Sequence, residues 1–267
     1  MIDFYYGLGP NPDKVALFLE ETGLPYSFKP VDTRRGDQFA PAFTALNPNA
    51  KLPVIADEGT VVFDSSAILL YLAEKTGRFL SEPRGELYSW LMFVATGIGP
   101  YSGQSVHFTH YAPEKNSYAI NRYQREVERH YRVLNERLTD RPYVLGETYT
   151  IVDMSVWGWA RRLPFVLGTT PAWPDFPNVK RLVDEIESRP AAKAALALAG
   201  NHAFKREVDD DARTFLFPQN RSLSAEPAPG RLGASLVLRA GANLGEHRLQ
   251  PVNIDIAFFE CFARDMA

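Results

Sequence analysis

The sequence has very little cysteine: Cys261 is its single cysteine in 267 residues. No intramolecular disulfide framework can form, as is typical of proteins in a reducing compartment, and we expect a cytoplasmic location. The first residues, MIDFYYGLGPNPDK, have no basic start followed by an apolar core of signal length. No apolar run reaches the roughly 18 residues of a membrane span. Secretion and membrane spanning are therefore not expected.

The sequence has no excess of positive charge either. It contains 29 Lys and Arg and 32 Asp and Glu, which gives a formal net charge of −3. Neutralising the phosphates of nucleic acid or of an anionic membrane needs a basic surplus, so neither partner is expected. His107 and His110 have no cysteine or carboxylate cluster beside them, so no metal site is predicted. The motifs GxSxG, HExxH, GxxxxGKS/T and GxGxxG are missing, and nucleotide hydrolysis and dinucleotide binding are not indicated.

Strand and helix signals alternate over the first 77 residues, in a chain long enough for two domains and a terminal extension. The predicted elements are a strand over 2–7, a helix with Asn11 as N-cap and Pro12 as first helical residue, a strand over 26–32, a helix over 38–46, hairpin strands over 53–56 and 60–63, and a helix over 65–76. This β-α-β-α-β-β-α order predicts an α/β thioredoxin-like domain over residues 1–80.

Helical signals replace strand signals in the second part of the chain, which predicts an all-α helical bundle over residues 81–220. Pro100 should kink or divide its first helix. The segment Thr150-Ile151-Val152-Asp153 has the spacing of a capping box and should open a buried helix. Residues 221–267 show weak periodicity, and we expect a flexible or loosely docked extension there.

Polar residues recur at the predicted starts of helices and strands: Asn11, Gln38, Lys51-Leu52-Pro53-Val54 and Asp64-Ser65. Together they resemble the glutathione site of the glutathione transferase superfamily, whose thioredoxin-like domain binds the tripeptide along a strand preceded by a cis-proline. The segments LFLEETGLPY, AILLYLAEKTG, GQSVHFTHYAPE, YAINRYQREVERHYRVLNERL and VLGETYTIVDMSVWGWA are most similar to the Nu-class bacterial glutathione-dependent disulfide-bond oxidoreductases. The resemblance covers residues 1 to about 220.

The resemblance implies roles along one bound glutathione. The Asn11 amide would donate to the sulfur, and the backbone of Leu52, turned by a cis Pro53, would pair with the cysteinyl residue. Ser65 would cap its helix through its side chain and hold the γ-glutamyl carboxylate through its N–H, while Asp64 would accept from the ammonium.

The resemblance implies roles for three further residues, and two of them, Lys51 and Arg122, also have an ordinary alternative. Lys51 would meet the glycyl carboxylate, or lie on a surface loop. Gln38 would line the glutathione site. Arg122 would lie near a second glutathione, or be a solvated arginine on a charged helix. Tyr5 and Tyr6 are expected in the core and are given no catalytic role.

The function implied is glutathione-dependent disulfide reduction, with glutathione as cosubstrate, no metal and a small disulfide as second substrate. Both reacting sulfurs then come from outside the protein, so Cys261 should be dispensable. Conjugation of glutathione to an electrophile is the first alternative. A non-catalytic regulatory module is the second, since a fungal nitrogen regulator uses this two-domain scaffold. A homodimer is expected.

Overall fold

The structure is a computed structural model that describes residues 1–169 and 172–220. Its strands are Ile2–Tyr6 (β1), Tyr26–Pro30 (β2), Val54–Asp57 (β3) and Thr60–Phe63 (β4). Its α-helices are Pro10–Thr22 (α1), Pro41–Leu46 (α2), Ser65–Thr76 (α3), Arg84–Phe93 (α4), Gly99–Val106 (α5), Ser117–Arg137 (α6), Ile151–Ala160 (α7), Leu163–Leu167 (α8), Pro177–Ser188 (α9), Pro190–Ala197 (α10) and Asp210–Leu216 (α11). Cys261 and the predicted extension lie outside the described residues.

The four described strands form one sheet in the order β2-β1-β3-β4. β1 and β2 run parallel, with Phe4 opposite Phe28, while β1–β3 and β3–β4 are antiparallel. Helices follow β1, β2 and β4 along the chain, so the thioredoxin-like order is confirmed. β3 begins at Val54, one residue later than predicted, because Pro53 has no N–H to donate to the ladder.

The start of α1 differs from the sequence prediction. Gly9 is the N-cap and Pro10 the first helical residue, so the assignment of Asn11 as N-cap and Pro12 as first residue is wrong. Pro10 suits a first helical position, since its φ is fixed near the helical value and it has no N–H to leave unpaired. Asn11 lies in the first turn instead, and its side chain is free for a contact outside the helix.

We call β1 to β4 with α1 to α3 the sheet part, and α4 to α11 the helical part. Helix α7 lies inside the helical part and packs on α1 and α3 of the sheet part. Trp157 of α7 and Phe18 of α1 belong to one continuous buried core. The capping box is confirmed, because the Thr150 N–H donates to the Asp153 carboxylate at 2.8 Å. Burial raises the pKa of that carboxyl to about 6, and hydrogen bonds from Val144 and Thr150 act in the opposite direction.

Pro100 lies at the beginning of α5, where the first long helix changes geometry. A π-helical segment, Val94–Ile98, joins α4 to α5, so the predicted division near Pro100 is confirmed. No helix among the described residues has the length and hydropathy to cross a bilayer. The described residues pack as one compact unit, and the predicted boundary at residue 80 stays a prediction.

The segment that ends in α11 folds back onto the sheet part, which sequence reasoning did not predict. The Lys205 N–H donates to Asp32 at 2.7 Å, and the Gln38 amide donates to the Phe215 carbonyl at 3.0 Å. Gly36 is needed here: its φ is +90°, and a Cβ would lie 2.7 Å from the Phe215 ring. These contacts place the end of α11 beside the first turn of α1.

Candidate active site

A cavity of about 450 Å³ opens where the first turns of α1 and α3 face the α4–α5 junction. It is the place where most of the predicted site residues meet. The residues that line it include Asn11, Lys14, Asn47, Lys51, Leu52, Pro53, Asp64, Ser65, Ser66, Pro100 and Trp159.

The Asn11 amide is oriented by α7. Trp159 Nε1 donates to Asn11 Oδ1 at 3.1 Å. An indole N–H can only donate, so the oxygen of the amide must face Trp159 and the NH₂ group must point elsewhere. Asn11 is therefore a donor toward the cavity, which is the chemistry that its predicted contact with a sulfur needs.

The Leu52–Pro53 peptide bond is cis, as the resemblance implied. Leu52 precedes β3, and its backbone N–H and C=O have no backbone partner among the described residues. The buried Asn47 fixes the loop by donating to the Lys51 carbonyl at 2.8 Å. A strand-like backbone edge is thereby presented to the cavity.

The first turn of α3 keeps one backbone donor free. Asp64 is the N-cap, and its Oδ1 accepts from Ser66 N at 2.8 Å and from Ala67 N at 3.2 Å. The prediction that Ser65 caps this helix through its side chain is therefore wrong. The Ile68 N–H is taken by the Asp64 carbonyl, so Ser65 has the remaining free N–H of the turn among the described residues.

Lys14 is a cavity residue that sequence reasoning missed. It is 2% exposed and lies three residues after Asn11 in α1. Burial lowers the pKa of its ammonium to about 8, and the nearby Asp64 charge acts in the opposite direction. Its spacing from Asn11 was the signal available, since residues i and i+3 share a helix face.

Gln38 lies at the edge of the site, in a 3-10 helix, Asp37–Phe39, and not at an α-helix start. It is buried, and its amide donates to the carbonyls of Thr33 and Phe215. It lines a neighbouring cavity of about 180 Å³ that also contains Asn11, Lys51 and Leu52. Its observed hydrogen bonds hold the chain around the site together.

Arg122 is not among the residues that line these cavities in the described part of the chain. It lies half-exposed on α6 and pairs with Glu126, one turn along the helix, at 2.8 Å. Tyr6, in contrast, is buried in the core and donates to Asp13 at 3.0 Å. Burial and the Asp13 charge raise the pKa of the Tyr6 hydroxyl, which leaves it neutral.

A more apolar cavity of about 250 Å³ adjoins the first turn of α1 on its other side. Its aromatic lining was not predicted, because it combines residues of α7, α8 and the chain end after α11. The lining includes Leu8, Gly9, Arg34, Tyr111, Trp159, Arg162, Phe165, Leu216 and Phe217. Within residues 1–169 and 172–220 there is no group of three or more His, Cys, Asp or Glu side chains placed to hold a metal ion.

A thioredoxin-like sheet, a free backbone edge before a cis-proline and a free helix N-terminus facing an all-helical part define the glutathione transferase class of architecture. Comparison with known families agrees: a family model of the glutathione S-transferase N-terminal domain matches residues 9–75, and one of the C-terminal domain matches residues 117–185. The chain belongs to the glutathione S-transferase family.

Three proteins similar to this chain show which members of the family it resembles. A disulfide-bond oxidoreductase of Escherichia coli K12, YfcG, is 42% identical over 214 residues, which are 74% of this chain and 96% of the relative. A glutathione transferase family member from Pseudomonas fluorescens pf-5, solved with two glutathione bound, is 37% identical with a TM-score of 0.70, covering 73% of this chain and 92% of the other. A Pseudomonas putida glutathione transferase, solved with one glutathione disulfide per subunit, is 33% identical with a TM-score of 0.68, covering 73% and 90%.

Proposed function

We propose that this chain is a glutathione-dependent disulfide-bond oxidoreductase in which bound glutathione supplies the attacking thiolate. The observation that carries the proposal is the set of free hydrogen-bonding groups along one cavity: the Asn11 amide, the Leu52 backbone and the Ser65 N–H. The activity named for the Escherichia coli relative and the glutathione disulfide in the Pseudomonas putida structure support it.

The tripeptide fits this set from one end to the other. Its γ-glutamyl carboxylate takes the Ser65 N–H at the positive end of α3, and its ammonium takes the second oxygen of Asp64. Its cysteinyl backbone pairs with Leu52 in the manner of an added strand. Its glycyl carboxylate points toward Lys51, which borders both cavities, with Gln38 on the far side of the smaller one.

The reaction consists of two exchanges at sulfur. The glutathione thiolate attacks one sulfur of the substrate disulfide, the S–S bond breaks, and the leaving thiolate takes a proton from solvent. A second glutathione thiolate then attacks the mixed disulfide and forms glutathione disulfide, releasing the second thiol. Two glutathione molecules are oxidised and one disulfide is reduced. Arg122 is proposed to lie near the second glutathione.

Conjugation of an electrophile is the second candidate, and the aromatic cavity favours it. Trp159 borders both the aromatic cavity and the glutathione cavity, and the first turn of α1 contributes Pro10 to the first and Asn11 to the second. A hydrophobic acceptor in the aromatic cavity would therefore meet the glutathione sulfur near Asn11. Arg34 and Arg162 also line that cavity, so an acceptor with a negative group fits it as well.

We further propose that the chain acts as a homodimer in the cytoplasm, with the domain boundary near residue 80. Apolar side chains on both parts support the dimer: Val61 and Phe63 of the edge strand β4 are 41% and 43% exposed, and Tyr88 and Met92 of α4 are 41% and 45% exposed. Pairing the sheet part of one protomer with the helices of its partner would cover both surfaces.

Two assays on the purified protein test the function. Reduction of a small aliphatic disulfide by glutathione is expected to be catalysed, and faster than conjugation of an aryl halide. Conjugation without disulfide reduction would replace the proposal with its second candidate. Glutathione binding with neither activity would indicate a regulatory module.

A further inference from the structure

Lys14 is buried in the wall of the glutathione cavity by an unusually close helix contact. A Cβ built at Gly158 of α7 would lie 2.6 Å from Lys14 Cγ and 3.0 Å from its Cε. Glycine at this position is what allows the aliphatic stem of the lysine to cross α7. The stem is covered by protein, while the residue lines the cavity.

The Lys14 ammonium has no hydrogen bond and no ion pair within the described residues, although a buried charge normally requires a partner. Three charged residues are the candidates: Asp64, whose charge acts on Lys14, Asp13, its neighbour in α1, and Lys51, which lines the same cavity. Asp64 favours the ammonium but forms no ion pair with it: one carboxylate oxygen caps α3, and the other is the one proposed to take the γ-glutamyl ammonium. Asp13 is held by Tyr6, Arg161 and Arg162, and Lys51 adds positive charge on the same cavity. Gly158 contributes no charge from α7.

The position along the cavity indicates which group of the ligand this ammonium meets. The γ-glutamyl carboxylate already has the Ser65 N–H, and the glycyl carboxylate has Lys51. Lys14 is one turn after Asn11 on the same face of α1. The part of the ligand that Asn11 meets is the sulfur.

We propose that the Lys14 ammonium contacts the sulfur of bound glutathione and holds it as a thiolate, so that Lys14 is a catalytic residue. This inference rests on the proposed glutathione site. On binding, the thiol S–H bond breaks, its proton leaves to solvent, and the thiolate and the ammonium remain as a buried ion pair. The Asn11 amide donates to the same sulfur. The free protein thus keeps an unpaired cation where the reaction needs an anion.

The test compares Lys14→Met with Lys29→Met, which removes a half-exposed lysine on β2 that pairs with Asp3. The ultraviolet absorption of the bound thiolate is titrated against pH for the wild type and both variants. We expect the pKa of bound glutathione to rise by about 1 to 3 units in Lys14→Met, the effect of losing an adjacent opposite charge. It should be unchanged in Lys29→Met. Disulfide reduction by Lys14→Met should recover toward the wild-type rate at high pH.

A second ligand separates the sulfur from the carboxylates. S-methylglutathione has both carboxylates and no thiol, so Lys14→Met should bind it as the wild type does. An equal loss of affinity for glutathione and S-methylglutathione would overturn the inference, because Lys14 would then serve a carboxylate or the fold. An unchanged thiolate titration in Lys14→Met would also overturn it. If the wild type itself binds no glutathione, the proposed function fails, which is a different result.

Discussion

The indole N–H of Trp159 donates to the side-chain oxygen of Asn11 at 3.1 Å, across the contact between α7 and α1. This bond decides which end of the amide faces the cavity. A residue of the helical part thereby sets the chemistry of a residue in the sheet part. The contact depends on α1 beginning at Pro10, which leaves the Asn11 side chain out of helix capping.

Replacing Trp159 with phenylalanine should therefore lower the activity through Asn11. One hydrogen bond contributes about 1 kcal/mol, so we expect about a fivefold loss of kcat/KM for disulfide reduction. Steady-state kinetics of Trp159→Phe measure it, with Trp173→Phe, a partly buried indole elsewhere, as the matched control.

The same pair can be tested for coupling. Adding Trp159→Phe to Asn11→Ala should cost little more than Asn11→Ala alone, because the two residues act through one hydrogen bond. Fully additive losses in the double variant would show that Trp159 acts independently of Asn11.

Asp64 has two separable roles, as helix cap and as a charge. Asp64→Asn keeps an oxygen that can accept from Ser66 N, so its thermal stability should be near that of the wild type, and its affinity for glutathione should fall. Asp64→Ala should in addition lose about 1 kcal/mol of stability. Calorimetric titration and thermal unfolding measure the two effects. Equal glutathione affinity in Asp64→Asn and the wild type would show that Asp64 does not contact the γ-glutamyl ammonium.

Lys14 should destabilise the ligand-free protein at neutral pH. Its pKa is lowered from 10.5 to about 8, so the folded state binds fewer protons than the unfolded state between these values. Below pH 8 the charged lysine lowers the free energy of unfolding by its full amount, about 3 kcal/mol at most. This destabilisation disappears as pH rises toward 10.5. Lys14→Met should therefore raise the free energy of unfolding at pH 7.

The size of that increase should shrink between pH 8 and 10.5, the interval between the pKa of Lys14 in the folded protein and the ordinary pKa of a lysine in the unfolded chain. Urea unfolding of the wild type and Lys14→Met across this range provides the measurement. A less stable Lys14→Met at pH 7 would mean that the lysine has a stabilising partner.

The exposed apolar side chains of β4 and α4 should lie in the homodimer interface. Charged substitutions, Phe63→Glu or Met92→Glu, should shift sedimentation toward the monomer, because a charge would be buried without a partner. Phe165→Glu, which alters an exposed aromatic residue away from both elements, is the control and should leave the dimer intact. A wild type that sediments as a 30.0 kDa species at micromolar concentration would contradict the dimer.

Local patterns in the sequence were sufficient for much of the fold. Gly77 and the periodic run before it predicted the first and last residues of α3 correctly. The Asp57-Glu58-Gly59 turn predicted the hairpin. The start of α1 was missed because Pro10 and Pro12 both satisfy the local rules for a first helical position.

Some features of the site were not predicted because they depend on contacts between distant segments. A lysine in an amphipathic helix is normally solvated, and Lys14 is buried where Gly158, which is distant in sequence, packs against its side chain. The bond between Gln38 and Phe215 spans 177 residues and has no local signature. Contacts within one segment could be predicted from local patterns, and residues that meet across the fold were predicted only where the family resemblance brought them together.

A crystal structure of the protein with glutathione would show where the sulfur lies. We expect it within hydrogen-bond distance of Asn11 Nδ2 and Lys14 Nζ, with the cysteinyl backbone paired with Leu52 and the γ-glutamyl carboxylate on the Ser65 N–H. Glutathione bound elsewhere, or bound here with its sulfur turned away from α1, would contradict this expectation.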